Sequence, residues 1–242
     1  MTDGRERLDD AFASPESKHR YVRRLFSTIA ERYDLITVLL SFGLDRRWKR
    51  LVTDIAAPGA GRRALDLACG TGDLAFLAAE RGATVVGLDV TYRMIELARA
   101  KRHEGTDGAR FLGGDMGSLP FIGGGFDIVT TGYGLRNVPD LTKAVREIHR
   151  VLRPGGVLVS LDFNRPAHPV IRGIYLGYLS IVGSALGWVL HRDPDTYRYI
   201  PASILRYPGA PRVARLMKAE GFATAEWRPV LGGLMAIHVA RK

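Results

Sequence analysis

Between residues 62 and 162, short apolar runs alternate with stretches whose apolar residues recur at helical spacing. Ala64–Ala68, Ala83–Leu88, Arg110–Leu112, Phe126–Thr131 and Val157–Asp162 read as strands, and Asp73–Arg81, Tyr92–Arg102 and Ala144–Leu152 read as the intervening helices. This alternation predicts a parallel, doubly wound α/β sheet whose right-handed crossovers bring the strand-end loops to one edge. Two helical stretches precede the first strand. In one, from Lys18, the residues Val22, Leu25, Phe26, Ile29 and Tyr33 form a stripe opposite Arg20, Arg23, Arg24 and Arg32; the other carries Leu44, Trp48, Leu51, Val52 and Ile55. Near the end, Pro208–Glu220 predicts a helix, and Phe222–Arg228 with Leu234–Ala240 an antiparallel hairpin. The expected whole is a seven-stranded sheet with one antiparallel strand and helices on both faces.

One stretch fits neither period. Gly173–Leu190 is free of charge and long enough to cross a bilayer, with Gly173/Gly177 and Gly183/Gly187 spaced as in closely packed helices. A crossing would part the C-terminal strands from their sheet. The stretch is therefore expected to be a buried helix pair, or a wall for a long apolar ligand that also rests at a membrane interface.

The chemistry concentrates in RRALDLACGTGDLA. A strand, a glycine turn (Gly70, Thr71, Gly72) and a helix present backbone N–H groups to a ligand, because glycine permits close approach. Asp89 closes the next strand about twenty residues on, the place of a carboxylate that accepts ribose hydroxyls. With Ala75 the loop also fits the G-x-G-x-x-A dinucleotide pattern, which makes a dehydrogenase the rival reading. Asp66 argues against it, since a carboxylate before the glycines repels a pyrophosphate and suits a cation. Asp66, Asp89 and Asp115 at successive strand ends form an acidic crescent suited to S-adenosylmethionine.

Composition adds bounds. The 242 residues carry a net charge of +10, which admits nucleic acid, an anionic membrane or acidic substrates as partners. No basic stripe interleaved with aromatics resembles an RNA platform, so no nucleic-acid partner is expected. Cys69 is the single cysteine, pointing to a reducing, cytoplasmic setting. No zinc-ligand spacing or P-loop is present, and no metal is expected. His238, alternating within a strand pattern, reads as structural. The organisation expected is a loose stretch 1–17 and a single domain 18–242. That domain divides into a helical lid (18–61), a cofactor-binding core (62–165), an apolar helical insertion (166–207) and a C-terminal helix and hairpin (208–242).

Taken together, LDLACGTGDLA, GLDV, GGDMGSLPF, FDIVTTGYGLRNV and RVLRPGG resemble a class I methyltransferase. FSTIAERYDLITVLLSFGLDRRWK, GLRNVPD, YRYIPASILRYP and GGLMAIHVARK narrow the resemblance to the ubiquinone/menaquinone biosynthesis C-methyltransferases, over about Tyr21 to Lys242. Four places depart from that pattern: Ile36-Thr37 for Met-Asn, Asp45 for His, Ala202 for Glu and Gly132 for Ser.

The resemblance implies a Rossmann-like fold and S-adenosylmethionine-dependent C-methylation of a polyprenyl quinol, with demethylmenaquinol or a methoxybenzoquinol as acceptor. It also implies a possible homo-oligomer; the apolar stretch and the basic helix add peripheral membrane contact. Thr71, Asp89, Asp115 and Met116 then hold the cofactor. Arg136 and Asn137 emerge beside the sulfonium as candidates for the acceptor oxygen. Arg136 is read either as a phenolate stabiliser or as the ion-pair partner of Asp140 or Asp162, since a guanidinium is a poor base. Tyr33, Tyr133 and Tyr197 are candidates to pack on the acceptor ring or bond to it.

Overall fold

The computed structural model describes residues 8, 10–41 and 43–242. Helix α1 (Pro15–Ile29) is capped by Ser14, whose Oγ accepts the Ser17 N–H, so the first helix starts ahead of Lys18. Ahead of it, a short turn at Asp10–Phe12 stacks Phe12 on Tyr199 at 5.6 Å, which fixes part of the stretch expected to be loose; residues 1–7 and 9 of that stretch lie outside the described residues. Then follow α2 (Tyr33–Leu40) and α3 (Asp45–Ala56). Among the described residues three α-helices, not two, therefore precede the sheet, because a 3-10 turn at Ala30–Arg32 breaks the first apolar stripe before Tyr33.

The core runs β1 (Arg63–Leu67), α4 (Asp73–Ala79), β2 (Thr84–Asp89), α5 (Tyr92–Ala100), β3 (Ala109–Gly113), β4 (Phe126–Gly132), α6 (Leu141–Val151) and β5 (Leu152–Phe163). After it come α7 (Pro169–His191), α8 (Tyr199–Arg206), α9 (Ala210–Ala219), β6 (Thr224–Val230) and β7 (Met235–Arg241). The sheet has seven strands in the order β3-β2-β1-β4-β5-β7-β6. β7 pairs antiparallel with both neighbours, and the remaining pairs are parallel. The predicted seven-stranded mixed sheet is thus the observed one.

Strand alternation sorts the core onto two faces. Val85, Ile128, Val157, Val159 and Leu161 pack with Trp48, Val52, Leu74 and Ile95 of α3, α4 and α5. Leu65, Leu67, Leu88, Val129 and Leu158 pack with Val145, Ile148, Val213 and Met217 of α6 and α9. Both faces are apolar, as a parallel sheet clad by helices requires. His238 sits in this core with Nε2 donating to the Ala210 carbonyl at 3.1 Å, and burial lowers its pKa to about 4. The strand order reverses between β1 and β4, where open α/β sheets form their ligand crevice.

The long apolar stretch is one continuous helix, α7, rather than a buried pair. Tyr175, Leu179, Gly183 and Gly187 are its buried residues, whereas Ile174, Ile181 and Trp188 are 70, 73 and 67 % exposed. The chain returns tightly at its end: a Cβ on Gly183 would lie 3.1 Å from Tyr197, and one on Gly187 would collide with the Asp193 carbonyl. The small-residue spacing therefore serves the helix's own return segment. Gly173 and Gly177 face open space.

Candidate active site

The loop after β1 stands at the switch point. Gly70 takes φ +53° and donates its N–H to Asp89 Oδ2 at 2.9 Å, which joins the ends of β1 and β2. Asp89 Oδ1 accepts the Thr91 N–H at 2.7 Å. An ionised carboxylate accepts about four hydrogen bonds, so two acceptor places remain for a diol. Burial raises its pKa, and those two N–H groups oppose the rise. Gly72 has a different place. A Cβ there would lie 2.9 Å from Phe76 and 3.0 Å from Phe111, so it shapes the turn from beneath and does not line the cleft.

Gly70, Asp89, Asp115, Met116 and Asn137 line one cleft, together with Tyr33, Tyr133, Val90, Met94 and His19. Asp115 Oδ1 accepts the Gly117 N–H at 2.7 Å, and its Oδ2 lies 3.5 Å from His19 Nδ1. Asp66 and Thr71 line a smaller neighbouring recess with Lys49 and Asp73. Asp66 accepts from Thr130 Oγ1 at 2.8 Å, while its Oδ2 is buried without a partner. Burial pushes its carboxyl up to about 7, against the Thr130 hydrogen bond. Thr71 donates to Asp34 Oδ1 of α2 at 2.6 Å, which ties the glycine loop to the lid.

The donor set fits a nucleoside that carries positive charge. It offers a carboxylate at the end of β2, unpartnered buried oxygens on Asp66 and Asn137, and apolar walls from Met94 and Met116.

A second, larger cavity of about 410 Å³ lies alongside. It is walled by Leu25, Phe26, Ile29 and Ile36 of the lid, by Ile171, Ile174, Tyr175 and Tyr178 of α7, and by Phe163, Tyr197 and Tyr199. Tyr33 and Tyr133 line this cavity and the cleft alike. Tyr197 belongs to the cavity alone among the three predicted tyrosines, and pairs with His191 Nε2 at 2.9 Å. Its pKa is raised by burial.

Arg136 also faces the cavity. Its backbone N–H donates to Asp162 Oδ2 at 3.1 Å, and its Nη1 to Asp162 Oδ1 at 3.3 Å and the Tyr133 carbonyl at 3.2 Å. Nε reaches Ser203 at 3.2 Å, and the guanidinium lies 4.7 Å over the Phe163 ring. Of the two carboxylates considered from the sequence, Asp162 is the partner; Asp140 instead caps α6 through Lys143 N–H. Asn137 is turned to the cleft, not the cavity, with Nδ2 donating to the Tyr133 carbonyl at 2.8 Å.

Asp45, noted from the sequence only as a departure from the family pattern, forms with Lys49 and the part-exposed Asp73 a charged string under the loop. Nothing in the sequence pointed to that string, nor to Lys18, whose Nζ donates to the carbonyls of Arg136 and Val138 at 3.0 and 2.7 Å. Spacing carried no signal for either group, since each depends on how the lid docks.

The chain matches the model of the ubiE/COQ5 methyltransferase family over residues 14–242. It belongs to that family. The demethylmenaquinone methyltransferase of Thermus thermophilus is 43 % identical over 217 residues, covering 89 % of this chain and 98 % of the relative. A ubiquinone/menaquinone biosynthesis C-methyltransferase of Rubrivivax gelatinosus is 37 % identical, covering 93 % and 88 %. Among solved structures, a putative S-adenosyl-L-methionine-dependent methyltransferase of Methanococcus maripaludis superposes with a TM-score of 0.64 at 17 % identity, covering all of this chain and 97 % of the other. The enzyme is a methyltransferase with a class I fold, and its cofactor is S-adenosylmethionine.

Proposed function

We propose that this methyltransferase methylates a ring carbon of a polyprenyl quinol, with demethylmenaquinol as its acceptor. The observation that carries the reading is the apolar cavity sharing the walls Tyr33 and Tyr133 with the cofactor cleft. A volume of about 410 Å³ suits a fused-ring head group and the first part of a tail, within the roughly 300–1,000 Å³ usual for ligand sites. The relatives named for demethylmenaquinone and for ubiquinone/menaquinone biosynthesis support the same acceptor class.

When bound, S-adenosylmethionine supplies an electrophilic methyl on a sulfonium. Asp89 would take the ribose hydroxyls, Asp115 and Met116 would border the adenine, and Gly70 and Thr71 with Asp66 would meet the charged amino-acid end. Gly72 contributes the turn, and Asn137 orients groups on the cleft side. A quinol attacks through carbon most readily as its phenolate, so the chain must orient the ring and stabilise an oxyanion. Arg136, buried and fixed by Asp162 and Ser203, presents a permanent positive charge to the cavity for that purpose. Tyr33 and Tyr197 pack on the ring.

The same reading places the enzyme in the cytoplasm against the inner face of the membrane. Ile171 and Ile174 line the cavity yet are half or more exposed, so a prenyl tail leaving it passes onto the apolar outer face of α7. Arg172 and Arg192 stand near the two ends of α7 and suit anionic headgroups.

Methyl transfer from labelled S-adenosylmethionine to demethylmenaquinol, with a polyprenyl methoxybenzoquinol alongside, tests the function. Label in the naphthoquinol lipid is expected. Bound cofactor with label in neither lipid sinks the quinol reading.

A further inference from the structure

Methylation of a phenolic ring carbon releases one proton per turnover, and the wall between cleft and cavity holds groups placed to receive it. Tyr133 leaves β4 with φ +61°, a left-handed backbone that a bulky aromatic adopts only when its surroundings enforce it. Its N–H donates to the Leu161 carbonyl at 2.7 Å, and its ring packs 5.6 Å from Phe163. Held so, the side chain lines both chambers. Its hydroxyl donates to Asp45 Oδ1 at 2.6 Å. Asp45 Oδ2 meets Lys49 Nζ at 2.6 Å, and Lys49 reaches Asp73 Oδ2 at 2.8 Å. Tyr133, Asp45 and Lys49 are buried, whereas the Asp73 carboxylate is partly open to solvent and lies 3.4 Å from Lys101. A hydrogen-bonded string thus runs from the cavity wall to water.

We propose that Tyr133 and Asp45 act together as the proton acceptor for the substrate phenol. This rests on the quinol reading above. The phenol O–H bond breaks and leaves its electron pair on oxygen; Tyr133 Oη takes that proton as its own passes to Asp45 Oδ1. Tyr133 ends neutral and Asp45 ends as a carboxylic acid. The ring's electron pair forms the carbon–methyl bond, and the pair of the broken sulfur–methyl bond stays on sulfur. Carbon attack leaves that oxygen as a ring-ketone carbonyl, and the proton of the methylated carbon passes to it as aromaticity is restored, regenerating the phenol. The net proton remains on Asp45 at the end of the step, and Lys49, held as an ammonium by Asp73 and Asp45, balances the charge of the string.

The groups facing Asp45 fit this role. Lys49 lies on its own helix and Tyr33 approaches from α2, while Asp73 of α4 faces Lys49 from the other side. Arg136 and Asp162 stand beyond Tyr133. Burial and the Asp45 charge hold the Tyr133 phenol well above its ordinary range, so the hydroxyl relays a proton and does not rest as tyrosinate.

The test measures kcat/KM against pH on demethylmenaquinol for the wild type and for Tyr133→Phe, Asp45→Asn and Asp45→His. Affinities for S-adenosylmethionine and for a tailed naphthoquinone are measured by calorimetry on the same preparations. Tyr133→Phe and Asp45→Asn are expected to lose about 10²–10³-fold in kcat, as removal of a positioned proton acceptor does, with both affinities within about twofold. In Asp45→Asn the residual rate climbs about tenfold per pH unit as the quinol ionises unaided. Asp45→His, an imidazole of similar reach, restores turnover with an acid limb at about 6.5. Turnover by the wild type with Tyr133→Phe matching it in kcat and pH profile overturns the dyad alone. A wild type that binds the cofactor but methylates no quinol removes the quinol reading and the dyad with it.

Discussion

Asp66 shows how much one buried carboxyl decides. Burial carries its pKa to about 7, although the Thr130 hydroxyl donates to it at 2.8 Å. Below that pH the group is neutral and does nothing for a cation; binding of a sulfonium or ammonium nearby favours the ionised form and expels the proton. Affinity for S-adenosylmethionine is therefore expected to be highest above pH 7 and to weaken as pH falls, by at most about tenfold per unit between pH 7 and 5. In Asp66→Asn the affinity should be weak and flat over the same range. Titration calorimetry in buffers of differing ionisation enthalpy checks both; a wild-type affinity indifferent to pH would falsify the role. Asp89 and Asp115 were legible because each follows an apolar run at a position that parallel topology brings to one edge, and Asp66 because it interrupts the run just before the glycines. The partnership of Tyr133 with Asp45 was not. It spans 88 positions, and it depends on a left-handed turn that no alternation of apolar and polar residues announces. Arg136 was legible as an alternative only: its charge forecast a carboxylate partner, and packing selected Asp162.

Helices α1 and α2 form a cover whose Ile29 and Ile36 pack with Tyr197, and polar links tie it to the core as well. Lys18 spans from α1 to the carbonyls of Arg136 and Val138, Asp34 accepts from Thr71, and Glu31 pairs with Arg93 of α5. Burial, with the Arg136 charge, lowers the Lys18 pKa to about 8, so its ammonium still donates at neutral pH. Each of its hydrogen bonds to a carbonyl is worth about 1.5–3 kcal/mol, because the donor is charged. Lys18→Met removes both while keeping much of the stem. Its expected effect is hydrogen exchange in α1 roughly tenfold faster or more, with the amides of β1, β4 and β5 unchanged, and weaker cofactor binding; unaltered protection of α1 would show that the cover is held by packing alone. The helical period of this segment was readable, and its apolar stripe does face inward. Its break into α1 and α2 was not readable, because Ala30–Arg32 carry no proline or glycine to mark the turn. In α7 the small residues suggested two packed helices, yet Gly183 and Gly187 accommodate the return of the chain at Tyr197 and Asp193. Spacing records that something approaches closely, not what.

At the scale of the molecule, the net charge of +10 and the bare outer side of α7 act in one direction. Flotation with anionic vesicles is expected to carry the protein upward, less so as salt rises, because surface attraction is screened over about 8–10 Å near physiological ionic strength. Ile174→Glu with Ile181→Glu should leave it at the bottom at physiological salt, since both side chains are exposed and neither substitution disturbs the core. Equal recovery with and without vesicles would remove the membrane seat. The sheet was readable almost complete, since each strand carries its own pattern. The large cavity was not, because its walls come from segments far apart in the chain. That division has a consequence for descent. The cofactor cleft draws mainly on residues 68–139, whereas most of the cavity wall comes from residues 25–48 and 171–200. Substitutions that reshape the second set can accumulate in a lineage while the first stays as it is, so a change of acceptor between related enzymes needs no intermediate that has lost its hold on the methyl donor.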